Sequence, residues 1–175
     1  MKNAWGFIVF VMMVVAAPVS TFARLGETEA ECLNRYGKSS TTYSPLLDGA
    51  INREYNYQGW RIRVAFINGK TVRIEYNKTE KVAGAPFIQP DEAQAILAGE
   101  TGGGQWKEKS NSINPIASFL DTQSRPKTWK NTNGNVAYFT VAKLALVVET
   151  PEAEAFVKAY REEKERQRKA STPKF

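Results

Sequence analysis

The segment from Gly59 to Tyr76, GWRIRVAFINGKTVRIEY, constrains the fold of this chain more than any other stretch. Apolar and polar residues alternate on both sides of Asn68-Gly69, and a period of two residues is typical of a β-strand with one face in water. Asn-Gly is also a strong signal for a hairpin turn. The segment therefore predicts two antiparallel strands joined by a tight turn.

The length of this turn decides which side chains of the two strands face each other. A two-residue loop would pair Val64 with Arg73 and so would mix the apolar and polar faces. A three-residue loop, residues 67–69, pairs Val64 with Val72 and keeps the apolar face continuous, with a glycine in the left-handed position. We therefore expect the three-residue loop.

Three helices are predicted from capping residues and from apolar residues at helical spacing. The first begins with the capping-box pattern of Thr28 and Glu31. The second begins at Pro90, and the third begins at Pro151 and keeps its apolar stripe up to Tyr160. These signals place the helices at about Glu29 to Tyr36, Pro90 to Gly99 and Pro151 to Tyr160.

Further strands are predicted in the last third of the chain, at residues 128–130, 136–141 and 144–148. The last of them is apolar on both faces, which predicts a central strand. The polar segment 38–58 is expected to be a loop with one short strand. Strands that follow one another through tight turns favour an antiparallel sheet. The expected fold class is therefore α+β, with a mainly antiparallel sheet, short helices on one face and a C-terminal helix, in two helix-plus-strands half-domains.

The first 23 residues have the pattern of a secretory signal peptide. Lys2 precedes an apolar run over residues 4–15, and the sequence Ser-Thr-Phe-Ala ends in a cleavage-site pattern at Ala23. The run is short for a membrane span, which takes about 20 apolar residues; an uncleaved N-terminal anchor is the alternative. We expect that residues 1–23 are removed and that the protein is periplasmic or secreted, without a transmembrane span. The mature chain is expected to have one domain at 24–160 and a charged, basic helical extension or tail at 161–175.

The composition excludes several kinds of chemistry. The chain has no histidine and a single cysteine, Cys32, which excludes nucleophile pairs built on histidine and any disulfide within the chain. We expect Cys32 to be a small buried residue of the first helix. No cofactor and no metal are expected. The carboxylates that remain for catalysis have no spacing that brings two of them together: Asp48, Glu54, Glu75, Glu80, Asp91 and Asp121.

The net charge of +6 comes largely from one end of the chain. Residues 161–175 contain six basic and three acidic side chains, so the rest of the mature chain is nearly balanced. A basic tail of this kind is typical of a solvated helix face, and contact with an anionic surface is the alternative. Nucleic acid is not expected as a partner.

Two glycine motifs flank the first predicted helix. Gly26-Glu27-Thr28 and Gly37-Lys38 have the spacing of a Gly-x-Thr and a Gly-x-Pro motif on a helix that precedes a hairpin. Over residues 26–77 the chain thereby resembles the SmpA/OmlA outer-membrane assembly lipoproteins and the related β-lactamase-inhibitor-like domains. Ser39 replaces the proline, Glu27 replaces an apolar residue, and the lipoprotein cysteine is missing, so membrane anchoring does not carry over. The resemblance implies a non-enzymatic envelope or secreted protein that binds another protein.

Three arginines of the hairpin form the candidate contact surface. In the expected register Arg63 faces Arg73, and Arg61 faces Glu75, on the wet face of the sheet. Opposed like charges are unfavourable by up to about 1 kcal/mol. Such a pair suits an anionic partner, for example a carboxylate-rich protein or a phosphate group. A solvated sheet face with splayed arginines is the alternative.

The sequence thus predicts an exported, non-catalytic protein-binding or envelope-assembly module. Its expected partner is another envelope or secreted protein, bound through Arg61, Arg63 and Arg73, with the basic tail as an accessory contact to an anionic surface. Two alternatives stay open. One is a secreted enzyme inhibitor, and the other is a histidine-free carboxylate hydrolase that acts on envelope polysaccharide.

Overall fold

A computed structural model describes residues 24–40, 44–79, 87–100, 104–109, 128–140 and 145–171; the predicted signal peptide lies outside these ranges. Within them, seven strands form one antiparallel sheet that packs against three helices, which confirms the α+β class. The helices are α1 (Glu29–Tyr36), α2 (Pro90–Gly99) and α3 (Pro151–Ser171). The strands are β1 (Ile51–Tyr57), β2 (Trp60–Ile67), β3 (Lys70–Lys78), β4 (Trp106–Lys109), β5 (Thr128–Asn131), β6 (Val136–Phe139) and β7 (Ala145–Glu149).

The sheet consists of two meanders that meet at its centre. The strand order is β1-β2-β3-β7-β6-β5-β4, and each neighbouring pair is antiparallel. The first meander follows α1 and the second follows α2, so a helix followed by strands occurs twice, as expected. All five residues of β7 are buried. The prediction of a central strand in this segment is confirmed.

One face of the sheet packs against α1 and α2. Val64, Ile74 and Val148 lie side by side in register on β2, β3 and β7, and each is fully buried. Complete burial of an aliphatic side chain contributes about 1.5–3 kcal/mol. α1 adds Cys32 and Tyr36, and α2 adds Ala93, Ile96 and Leu97. The bounds of α1 and its capping box at Thr28 and Glu31 are as predicted, and Cys32 is buried.

The opposite face carries polar side chains and a smaller apolar cluster under α3. Ala65, Ile67 and Val72 pack there with Ala153, which is fully buried. Phe156 and Val157 of α3 are partly buried against this cluster. From residue 161 to residue 171 the helix is exposed. α3 therefore docks by its first turns, and its charged second half is exposed.

The β2–β3 hairpin has a register that differs from the predicted one. Asn68 and Gly69 form a two-residue turn with φ values of +51° and +74°, the left-handed conformation of a type I′ turn. Val72 is then the extra residue of a β-bulge, after which Val64 pairs with Ile74. The predicted three-residue loop is wrong, because the bulge rather than the loop length keeps the apolar and polar faces separate.

The segment 38–58 is more regular than predicted. Ile51–Tyr57 forms a seven-residue strand at the edge of the sheet, where it pairs along its whole length with β2. Ser40 forms a bridge to Glu54 on the outer side of this strand. The hairpin that the sequence indicates is thus the inner part of a three-stranded meander.

Candidate binding groove beside the sheet

All three predicted arginines lie on the polar face of the sheet, but Arg63 and Arg73 are not opposed. Arg63 pairs across the strands with Glu75, and its Nε donates to Oε1 at 2.9 Å. Arg73 pairs in the other direction with Glu149 of β7, and its Nε donates to Oε2 at 2.6 Å. The predicted like-charge pair is therefore wrong, because the bulge shifts the register and each arginine gains an acidic neighbour.

Arg61 is the exposed member of the three. It lies opposite Asn77, not opposite Glu75 as predicted. Asn77 donates from Nδ2 to Glu75 at 2.8 Å, so that this carboxylate binds both the amide and Arg63. Across the described ranges, Arg61 enters no ion pair. Of the three arginines, Arg61 is therefore the one whose positive charge has no acidic partner among the described residues.

A loop of residues 44–50, the 44–50 loop, lies over the two paired arginines and is held by Asn52. The side-chain oxygen of Asn52 accepts from the N–H groups of Leu46 and Leu47 at 2.9 and 3.0 Å. Its nitrogen donates to the carbonyls of Leu47 and Ala50 at 3.0 and 2.9 Å. Arg73 adds a longer bond from Nη1 to the Leu46 carbonyl at 3.4 Å. The side chain of Asn52 thus fixes the 44–50 loop as a preformed wall.

A groove of about 470 Å³ lies between the 44–50 loop and α3, a volume within the range of small binding sites. Gly49 allows the loop to approach the helix. Its φ is +82°, and a Cβ there would lie 2.6 Å from the ring of Tyr160. The Tyr160 ring stacks on Phe156 with centroids 6.3 Å apart. The ring of Tyr160, which stacks on Phe156, therefore packs against the 44–50 loop at Gly49, where there is no side chain.

The side chains that line this groove give it a positive balance. Arg73, Arg161, Lys164 and Arg168 line it together with two acids, Asp48 and Glu165. Arg168 is paired with Glu165 at 2.8 Å, and Arg73 is paired with Glu149. Arg161 and Lys164 form no ion pair within the part of the chain that the structure describes, and the Lys164 ammonium lies 5.5 Å from the centroid of the Tyr160 ring. We call this site the cationic groove.

The cationic groove joins two features that the sequence presents separately. Arg73 belongs to the predicted hairpin surface, whereas Arg161, Lys164 and Arg168 belong to the predicted basic tail, of which residues 161–171 are helical. Sequence reasoning missed Asn52, whose segment it interpreted mostly as loop. It also interpreted Tyr160 only as the end of a buried stripe. The one local signal for the wall was Asp48-Gly49, a turn pattern.

The structure also places several residues that catalysis could use. The described residues contain no group of three or more histidine, cysteine, aspartate or glutamate side chains that would hold a metal ion. Burial raises the pKa of the Cys32 thiol to about 12, so the thiolate needed for nucleophilic attack is absent near neutral pH. Glu75 and Glu149 are each bound by an arginine. Two of the carboxylates considered from the sequence, Glu80 and Asp121, lie outside the described residues.

A carboxyl group that the sequence did not single out is buried on the other face of the sheet. Glu100 follows α2 and is 2% exposed. It accepts hydrogen bonds from the Tyr76 hydroxyl and from the N–H of Leu25, the latter at 2.9 Å. Burial raises the pKa of Glu100 to about 8, although both hydrogen bonds act in the opposite direction. This group lies in the core and is not part of the cationic groove.

Comparison with protein-family models, with curated proteins and with solved structures finds no match to this chain. The resemblance of residues 26–77 to the SmpA/OmlA lipoproteins and the β-lactamase-inhibitor-like domains therefore stays a prediction. None of the helices in the described ranges is long and apolar enough to cross a bilayer.

Proposed function

We propose that this protein is an exported, non-catalytic binding module that holds an acidic segment of another envelope or secreted protein in the cationic groove. The observation that carries the proposal is the position of Arg161 and Lys164. Both lie at the wall of a preformed groove, and neither has an acidic partner among the described residues. Cations arranged in this way gain free energy when a carboxylate enters.

The groove favours a protein segment over a simple anion because its lining is mixed. Leu46, Val157 and Tyr160 contribute apolar surface beside the cations. A segment with an acidic side chain next to an apolar one satisfies both parts of this lining. Electrostatic complementarity then sets specificity and the rate of association, while the apolar contact contributes affinity.

The three arginines of the hairpin have different parts in this proposal. Arg73 contributes to the groove itself, and Arg63 supports the wall through a 3.4 Å bond from Nη1 to the carbonyl of Ser44. Arg61 is exposed on the same face of the sheet and extends the positive charge along β2. An inhibitor of a secreted enzyme is one form that this binding module can take, since an acidic loop of the target enzyme would fit the same groove.

Capture from an extract of the cell envelope tests the proposal. The tagged mature chain is compared with a groove variant, Arg161→Glu with Lys164→Glu, and with a matched variant, Arg166→Glu with Lys169→Glu. The second pair changes the net charge equally and lies on the same exposed helix outside the groove lining. Circular dichroism confirms that α3 is intact in both variants.

We expect one dominant protein that elutes with rising salt, and at least tenfold weaker capture by the groove variant than by the matched variant. A tenfold change corresponds to about 1.4 kcal/mol, the size expected when two exposed charge contacts of roughly 0.5–1 kcal/mol each are reversed. Equal capture by both variants would show that only net charge matters and would refute the groove. The absence of any captured protein would refute the binding module and favour a screen for polysaccharide hydrolysis.

A further inference from the structure

The first described residues form a tight turn that is fixed to the sheet. The N–H of Glu27 donates to the carbonyl of Arg24 at 3.2 Å, and Gly26 has a φ of +85° at the left-handed position of the turn. Gly26 donates to the carbonyl of Thr71 at 2.8 Å, and the N–H of Thr71 donates to the carbonyl of Glu27 at the same distance. The turn from Arg24 to Glu27 is thus bound to Thr71 of β3.

Two carboxyl groups, one buried and one mostly buried, face the backbone nitrogens of this turn. The N–H of Arg24 donates to Oε2 of Glu27 at 3.2 Å, and the N–H of Leu25 donates to Oε2 of Glu100 at 2.9 Å. The Glu27 side chain is only 12% exposed, and its other oxygen binds Arg35. A carboxylate that binds a neutral amide at such depth would bind a cation in the same place more strongly.

The nitrogen of Arg24 is also the atom that the predicted cleavage site would release. Hydrolysis of the Ala23–Arg24 peptide bond consumes one water. The Ala23 carbonyl carbon keeps one oxygen from water and leaves as a carboxylate, and the Arg24 nitrogen takes both protons and becomes an ammonium. The bond that is broken therefore creates a positive charge at the atom that already donates to Glu27.

We propose that the folded domain binds its own mature amino terminus, with the Arg24 ammonium in an ion pair with Glu27 and within reach of Glu100. The ion pair exists only in the processed protein, because the precursor has a neutral amide at the same atom. Processing then stabilises the fold, and Glu27, which the family resemblance places at an apolar position, is the residue that recognises the new terminus. This inference rests on the export that we propose above and is independent of the cationic groove.

The ammonium also changes the charge balance of the buried cluster. Without it, Arg35 is the ion-pair partner of Glu27, and burial raises the pKa of Glu100 to about 8. A second cation close to Glu100 favours the ionised form of that carboxyl. The titratable and charged groups around the turn come from the turn itself, from α1, from β3 and from the residue after α2: Arg24, Glu27, Cys32, Arg35, Tyr36, Tyr76 and Glu100.

The stability of three forms of the chain tests the proposal. The first form begins at Arg24 with a free amine, the second is the same chain with an acetylated amine, and the third keeps Ala23 as a one-residue extension. All described elements lie within residues 24–171, so each form contains the whole described fold. Urea unfolding is followed by tryptophan fluorescence at pH 6.5 and at pH 10.

An ion-paired ammonium has a folded-state pKa above its unfolded value, which is about 7.7–8.0 for an α-amino group. Its contribution to stability is therefore complete at pH 6.5 and is lost as the pH rises through the folded-state pKa. We expect a folding equilibrium constant about tenfold larger for the free amine than for the other two forms at pH 6.5, and a smaller ratio at pH 10. Equal stability of the three forms at pH 6.5 would overturn the proposal.

Glu27→Gln is the specific control, because glutamine still accepts a hydrogen bond but carries no charge. The difference between the free and acetylated forms should shrink severalfold in this variant, because only Glu100 remains within reach, and an undiminished difference would overturn the role of Glu27. If the variant does not fold, the wild-type Arg24 amine is reductively methylated with ¹³C-formaldehyde and a borane as the hydride donor, which keeps its charge, and is titrated by NMR. A pKa no higher than in urea-unfolded chain would then overturn the ion pair.

The starting residue of the exported protein completes the test. The full chain with residues 1–23 is expressed in an exporting host, and the product is sequenced from its N-terminus. Arg24 as the first residue supports the proposal, and any other first residue overturns it. Since this readout does not involve capture by the cationic groove, a failure here is distinguishable from a failure of the binding module.

Discussion

Replacement of Glu100 by glutamine tests whether this buried carboxyl carries a proton in the folded protein at neutral pH. The carboxyl is 2% exposed, and its two hydrogen bonds come from the Tyr76 hydroxyl and from the N–H of Leu25. Burial raises its pKa from 4.5 to about 8, because the charged form loses its hydration and the hydrogen bonds offset only part of that loss. Between pH 4.5 and about pH 8, folding is therefore accompanied by the uptake of a proton at Glu100.

The sign and the size of the effect follow from this difference in proton binding. Between pH 4.5 and pH 8 the folded state binds one proton more than the unfolded state, so the free energy of unfolding falls as the pH rises. Each pH unit corresponds to about 1.4 kcal/mol. The interval from 4.5 to about 8 therefore amounts to roughly 4–5 kcal/mol, which is present below pH 4.5 and lost above pH 8.

Urea unfolding at pH 5, 7 and 9 measures this effect in the wild type and in Glu100→Gln. Both chains carry an N-terminal extension, so that the Arg24 nitrogen stays an amide as in the structure. At pH 5 we expect the variant to be less stable by about 1 kcal/mol, because one hydrogen bond of the carboxyl is mismatched by the amide. At pH 9 we expect it to be more stable than the wild type. Parallel stability curves for the two proteins would refute the reasoning.

Two further substitutions test the wall of the cationic groove and the ion pair beneath it. Asn52→Ala removes the four hydrogen bonds that fix the 44–50 loop, so we expect a loss of about 2–4 kcal/mol in urea unfolding and weaker capture of the partner; unchanged capture would show that the loop is not a wall of the site. Glu149→Leu leaves the Arg73 guanidinium without its carboxylate and should cost about 2–3 kcal/mol, most of which the double variant with Arg73→Met should recover. Strictly additive losses in that double-mutant cycle would show that the two side chains are not coupled.

The elements that were predictable from the sequence are those whose signals are local. The bounds of α1 follow from the capping box of Thr28 and Glu31, two residues that contact each other directly. The position of the hairpin turn likewise follows from Asn68-Gly69. The register of the two strands does not follow from the turn alone. It depends on the bulge at Val72, which places each side chain on the apolar or on the polar face of the sheet. The two-residue turn is the one that Asn-Gly favours locally, and the bulge at Val72 then restores the separation of the apolar and polar faces.

The candidate site was predictable only in part, because its residues come from distant segments. Arg73 was identified from the alternation on the hairpin, but its carboxylate partner is 76 residues away in sequence. Asn52 acts through backbone groups of its own neighbours, which no pattern of side chains reveals. Arg161 and Lys164 were recognised as basic, and only the docking of α3 against the 44–50 loop brings them next to Arg73.

The meeting of the two meanders at β3 and β7 has a consequence for the order of folding. The strands β1 to β3 contact one another through short turns and are complete once residue 78 has been made, whereas β7 begins at residue 145. Closing so long a loop is entropically costly and slow, so the central seam of the sheet should form late. Until then β3 is an unpaired edge with apolar residues such as Ile74 and Tyr76, a template for pairing with another chain. Conditions that delay the arrival of β7 should therefore increase aggregation during refolding even when the finished protein is equally stable.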